Sequence, residues 1–366
     1  MSHVIRRLCF LFLVPVLCCC QKNRPQPLPV EEHWRNPSAY VVDSLQQVSL
    51  LTLSRVDSAG HLYRMSYKAS YDLDGMLQSG TKSLEDMMGF VGTRLLRDFP
   101  LSDFKIGSGC SSFTAFTHDK DVLFARNYDF RHDPLGVVIE TAPENGYRSI
   151  GIADAAWFNF LPGSLDDSKT DVSLIMALPY ATLDGVNEKG VCLSVMQLET
   201  KSTEQSDKSK NDMVTTTAIR LALDHAASVD EVISLWNQHN MHSAVKGTDF
   251  HFLVADASGR TVVLEYLDGA LKVLEDKTFV ANELLSPGRD HPEKSHRYGI
   301  MKEALAMARD TLEMHDAMNI LSLLRQGGHR RGTPTQWSAV YNLTRRTMEV
   351  AVNKDYEHVF SFSLND

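Results

Sequence analysis

The chain has 366 residues, 43% of them hydrophobic and 23% charged, with a formal net charge of −9. This is enough apolar material for one large domain or two smaller ones. The acidic balance and the lack of a basic stripe exclude nucleic acid as an electrostatically recruited partner.

Residues 1–20 read as a targeting segment. Arg6 and Arg7 give a positive start, and Leu8 to Leu17 form an apolar run too short to span a bilayer. Cys18, Cys19 and Cys20 follow, and Leu17 stands three residues before Cys20. That pattern resembles a bacterial lipoprotein signal with Cys20 as the lipidated residue, which predicts an exported protein held at a membrane by an N-terminal lipid anchor. Residues 21–40 carry Pro25, Pro27, Pro29 and Pro37 and read as a tether. Beyond the targeting segment only Cys110 and Cys192 remain, a pattern that suits an exported protein with a reactive thiol. Cys192, in an apolar run, reads as core packing.

Residues 41–109 read as a helical N-terminal segment. Helices are predicted over 43–53 and 82–99, the second with a core-facing stripe of Leu84, Met87, Met88, Val91, Leu95 and Leu96. From Cys110 the period changes to that of strands: 111–117, 122–127, 137–141, 149–153, 173–177 and 191–198. Asp184 to Gly190 reads as the turn into the last of these, with Asn187 as a turn former. Residues 199–212 are almost wholly polar and read as a mobile surface loop. A helix over 214–226 precedes a second one opened by the capping box Ser228 to Glu231. Strands at 250–255, 261–266, 271–274 and 278–281 come next, then helices at 296–309 and 316–324, then strands at 336–343, 347–352 and 358–363. Hairpin-joined strands interleaved with helix pairs predict an α+β fold with antiparallel sheets covered by helices.

The chemistry centres on Cys110. It follows Gly107-Ser108-Gly109, where the backbone can bend sharply, and precedes Arg126 by sixteen residues and Asp129 by nineteen. If the Gly109–Cys110 bond is cut, Cys110 gains a free α-amine with a reference pKa of about 7.7–8.0, suited to take the thiol proton. Arg126 would then place positive charge at the thiolate, and Asp129 would orient the amine. The alternative for Arg126 and Asp129 is a structural ion pair. His251 is a possible base, but this chemistry needs no His, so it reads as structural. The 14 His are dispersed, with no metal-ligand spacing, so neither metal nor cofactor is expected.

These stretches, in this order, resemble the N-terminal-nucleophile linear amide C–N hydrolases of the choloylglycine hydrolase and penicillin V acylase type. Relatives of that family include acid ceramidase-like amidases and isopenicillin acyltransferases. The matching pieces are Cys110, Phe124 to Asp129, Asp184 to Gly190, Val280-Ala281-Asn282, Ser295-His296-Arg297 and Thr335 to Ser338. The resemblance implies a four-layer αββα sandwich with two antiparallel sheets over residues 110–366. It implies hydrolysis of a small N-acyl amide through a thioester on Cys110, Asn282 as oxyanion donor and Arg297 as support for the nucleophile. Gln197 stands where bile-salt enzymes have an Asn oxyanion donor, a departure that argues against bile-salt activity. The long segment before Cys110 implies self-cleavage into two chains, one ending at Gly109. Two other functions fit the same reading: an acyltransferase using the thioester, and a surface lipoprotein that binds a ligand without catalysis.

Overall fold

The computed structural model describes residues 40–98, 109–275, 277–286, 295–327 and 333–365. The signal, the tether up to Ala39, Cys20 and Gly107-Ser108 lie outside the described residues.

The strands are β1 (Ser54–Arg55), β2 (Leu62–Tyr67), β3 (Gly109–Phe116), β4 (Val122–Asp129), β5 (Gly136–Thr141), β6 (Ser149–Asp154), β7 (Thr182–Asn187), β8 (Cys192–Leu198) and β9 (Asn211–Val214). They continue with β10 (His239–His242), β11 (Asp249–Ala255), β12 (Thr261–Leu267), β13 (Ala270–Glu275), β14 (Phe279–Val280), β15 (Thr335–Asn342), β16 (Thr347–Val352) and β17 (Phe360–Ser363). The α-helices are α1 (Ser44–Leu51), α2 (Leu73–Ser79), α3 (Leu84–Phe90), α4 (Thr215–His225), α5 (Val229–Asn237), α6 (His296–Ala308) and α7 (Met314–Leu324).

Two large sheets face each other. One has the order β1-β2-β5-β6-β7-β8-β11-β12-β13, the other β14-β3-β4-β15-β16-β17. Helix α4 packs on β7 and β8, whereas α6 and α7 cover the outside of the six-stranded sheet at β3, β4 and β15. This is the four-layer αββα arrangement. Strand alternation sorts the side chains between its layers. In β3 and β4, Phe113, Ala115, Leu123 and Ala125 pack against α6 and α7, while Cys110, Phe124 and Tyr128 belong to the core that continues into the nine-stranded sheet. Across that interface the Ser112 and Ser194 hydroxyls lie 2.8 Å apart.

Most of the predicted strands and helices are present within a few residues, and the Leu84 to Leu96 stripe is core. Four expectations differ. The N-terminal segment is not wholly helical: β2 buries Leu62, Tyr63, Met65 and Tyr67 in the nine-stranded sheet. It pairs parallel with β5, so that sheet is antiparallel except at this ladder. Residues 173–177, expected as a strand, open a 3-10 helix, Ser173–Ala181. Asp171 Oδ1 accepts from Ser173 N at 2.9 Å and starts that turn, and a fully buried apolar run has no alternation to tell strand from helix. The polar stretch 199–212, expected as a mobile loop, is pinned: Ser243 N donates to the Thr203 carbonyl at 2.9 Å and Asp207 N to Asn240 Oδ1 at 2.9 Å. Its end becomes β9, paired in parallel with β10.

Of the turn expected over Asp184 to Gly190, Asp184 to Asn187 are instead the end of β7, and the turn itself runs from Asn187 to Gly190. Asn187 Oδ1 accepts from Lys189 N at 3.1 Å and Val191 N at 3.0 Å. Gly190 closes it at φ +86°, where a Cβ would lie 2.7 Å from the Leu343 carbonyl oxygen; only glycine fits there.

Candidate active site

Cys110 is the second residue of β3, fully buried between the sheets. Arg126 lies on the neighbouring β4 and faces the same way. One Arg126 Nη2 hydrogen bond reaches Cys110 Sγ at 3.4 Å and another the Val195 carbonyl at 3.0 Å. Its Nη1 donates to Asp184 Oδ2 at 2.7 Å and to the Leu183 carbonyl at 2.6 Å. Arg126 and Asp184 are both fully buried. Burial works against the Arg126 charge, but Asp184 and the Cys110 sulfur outweigh it, so the guanidinium is held more firmly protonated than usual. Tyr341 also donates its hydroxyl to Asp184.

Arg126 and Asp129 do not form the ion pair considered as the alternative. Three residues apart on a strand, they point to opposite faces of the sheet. Asp129 pairs instead with Arg297, whose Nη1 lies 3.1 Å from Oδ2. Thr335 Oγ1 donates to Asp129 Oδ1 at 2.6 Å, and Gln326 Nε2 donates to Oδ2. Burial pushes the Asp129 carboxyl up to about 6, against the opposing pull of Arg297 and these donors.

Arg297 enters from the first turn of α6, which Ser295 caps. Its Nη1 also donates to the Cys110 carbonyl at 2.8 Å, and its Nη2 to Asn282 Oδ1 at 2.7 Å. Asn282, just past β14, accepts the Cys110 backbone N–H at 2.7 Å through the same Oδ1. Asn282 Nδ2 donates to the Gln197 carbonyl at 2.7 Å. Strands from both sheets, a loop and a helix start thus converge on one cysteine.

The structure brings Cys110, Arg126, Asp129, Asn282 and Arg297 together, and it joins Gln197 to them through its main-chain oxygen. Cys20 lies outside the described residues. Three contributors were not singled out as site residues from sequence: Asp184, Thr335 and Gln326. Asp184 and Thr335 lie inside motifs that the sequence flagged, so position in those motifs was their signal. Gln326 lies just beyond α7 and had none. His251 is buried between Glu265 and the Ala281 carbonyl, and no described contact joins it to Cys110. Among the described residues no group of three or more His, Cys, Asp or Glu side chains is arranged to hold a metal ion.

The layering, with a cysteine near the head of a central strand, defines an N-terminal-nucleophile hydrolase fold. Two variants of conjugated bile acid hydrolase from Clostridium perfringens share it. Each superposes with a TM-score of 0.53 at 13% identity over 70% of this chain, covering 92% and 93% of theirs. The family model "Linear amide C-N hydrolases, choloylglycine hydrolase family" matches residues 110–284, the segment that opens at Cys110 and ends just past Asn282. Penicillin V acylase from Pectobacterium atrosepticum is 29% identical over 109 residues, 27% of this chain. The match spans only 29% of that acylase's length.

Proposed function

We propose that this chain is a cysteine amidase that hydrolyses the linear C–N bond of a small N-acyl amide. The observation that carries this reading is the contact between the Arg126 guanidinium and Cys110 Sγ, with Asn282 and Arg297 on the same residue. The guanidinium is placed to balance the negative charge that forms on sulfur once the freed amine takes its proton.

The first step is self-cleavage. Cys110 Sγ adds to the Gly109 carbonyl carbon, the Gly109–Cys110 C–N bond breaks, and the Cys110 nitrogen leaves as an amine. Water hydrolyses the resulting thioester. The freed amine then accepts the Cys110 thiol proton, and the thiolate attacks the substrate carbonyl. Asn282 Nδ2 has two hydrogens; the Gln197 carbonyl fixes one, and the other is assigned to the oxyanion. The amide C–N bond breaks, the leaving nitrogen takes the proton back, and water releases the acid from the thioester. Asp129 acts through Arg297, which holds the Cys110 carbonyl. The Cys20 motif supports placing this enzyme outside the cytoplasm on a lipid anchor.

The test is amine release from a panel of N-acyl amides by the wild type and by Cys110→Ala, with hydroxylamine present to trap the thioester. The expected result is turnover and a trapped hydroxamate in the wild type alone. Turnover that persists in Cys110→Ala contradicts the reading.

A further inference from the structure

The buried pair His251–Glu265 is outside the catalytic set, yet it grips the loop that carries Asn282. The two residues face each other on β11 and β12, in the nine-stranded sheet, and both side chains are fully buried. His251 Nε2 lies 2.7 Å from the Ala281 carbonyl oxygen, and Nδ1 lies 3.2 Å from Glu265 Oε1. A carbonyl only accepts, so Nε2 donates. Glu265 holds the far end of the same loop: it accepts from Leu285 N at 2.7 Å, Ser286 N at 3.0 Å and Ser286 Oγ at 2.6 Å. Burial opposes the Glu265 charge, but His251 and these donors outweigh it and hold the carboxyl below its usual range.

The loop 281–286 leaves β14 on the six-stranded sheet and is tied at both ends to one hydrogen-bonded pair of the other sheet. Asn282 is the residue directly after the gripped carbonyl. We propose that His251 and Glu265 are positioning residues that set the Asn282 amide against Cys110 across the gap between the sheets. This rests on Asn282 acting as the oxyanion donor.

The test uses the full chain and compares the wild type, His251→Phe, His251→Gln and Glu265→Gln. It reads kcat and KM on any N-acyl amide the wild type turns over, together with iodoacetamide labelling of Cys110. Misplacing a reacting group by about 1 Å costs about 100-fold, so His251→Phe should lose about 100-fold in kcat, with KM and the labelling rate within about 3-fold of wild type. His251→Gln, whose Nε2 can still reach the Ala281 carbonyl, should recover to within about 10-fold of wild type. If His251→Phe does not fold, His251→Gln and Glu265→Gln carry the comparison: kcat falls in both while KM and labelling hold. Unchanged kcat, or equal loss in the Phe and Gln variants, overturns this inference while an active wild type leaves the amidase reading intact. A wild type that neither splits nor turns over any N-acyl amide overturns both.

Discussion

Cys110 and Cys192 are both free, both fully buried and both in the layer between the sheets. They differ in the charge beside the sulfur. Cys110 has an Arg126 N–H at its Sγ. Burial drives the Cys192 thiol well above its ordinary value and the nearby Asp184 carboxylate drives it further, against a smaller opposing pull from Arg126, which makes no hydrogen bond to this sulfur. On the proposed reading, the positive donor at hydrogen-bond distance is what sets Cys110 apart from a merely buried cysteine.

The largest expected effect breaks the pair at its reactive member. Cys110→Ala should abolish both self-cleavage and amide hydrolysis, measured by intact mass and amine release. Arg126→Met removes the distinguishing cation and strands Asp184 in the core. It should be at least about 3 kcal/mol less stable in denaturant melts and lose nearly all activity. Asn282→Ala should lower kcat by about 10²–10³-fold while the protein stays folded, because it removes the proposed oxyanion donor.

A smaller effect comes from pH. Asp129 must be ionised to hold Arg297, so kcat should fall about tenfold per pH unit below about 6. Stability runs the other way. The folded value lies above the ordinary 3.8, so this group's stabilising contribution is complete below pH 3.8 and is lost as pH rises through about 6. A kcat profile flat from pH 7 to pH 5 contradicts the assigned role. The smallest effect is at the inert member: Cys192→Ala should change kcat by less than about twofold and lower stability by about 1 kcal/mol in a denaturant melt.

Much of the site was legible from sequence because its residues sit in short motifs with a fixed order along the chain. The pairing among them was not. A strand spacing of three already separates Arg126 from Asp129, but their true partners, Asp184 and Arg297, are distant in sequence and come from other elements. The fold was readable where short strand-forming runs are bounded by polar turns, as in β3 and β4 around His118 to Asp121. It failed at Ser173–Ala181, where every residue is buried and periodicity vanishes. It failed again at β2, where a strand of the N-terminal segment joins the main sheet, and over 199–212, where polar residues are held by side-chain hydrogen bonds rather than by apolar burial.

The most direct test is the intact mass of purified wild-type protein beside Cys110→Ala. The account predicts that the wild type separates on denaturation into two chains, one starting at Cys110, and that the alanine variant stays whole. A wild type that remains one uncut chain while hydrolysing an N-acyl amide would contradict it.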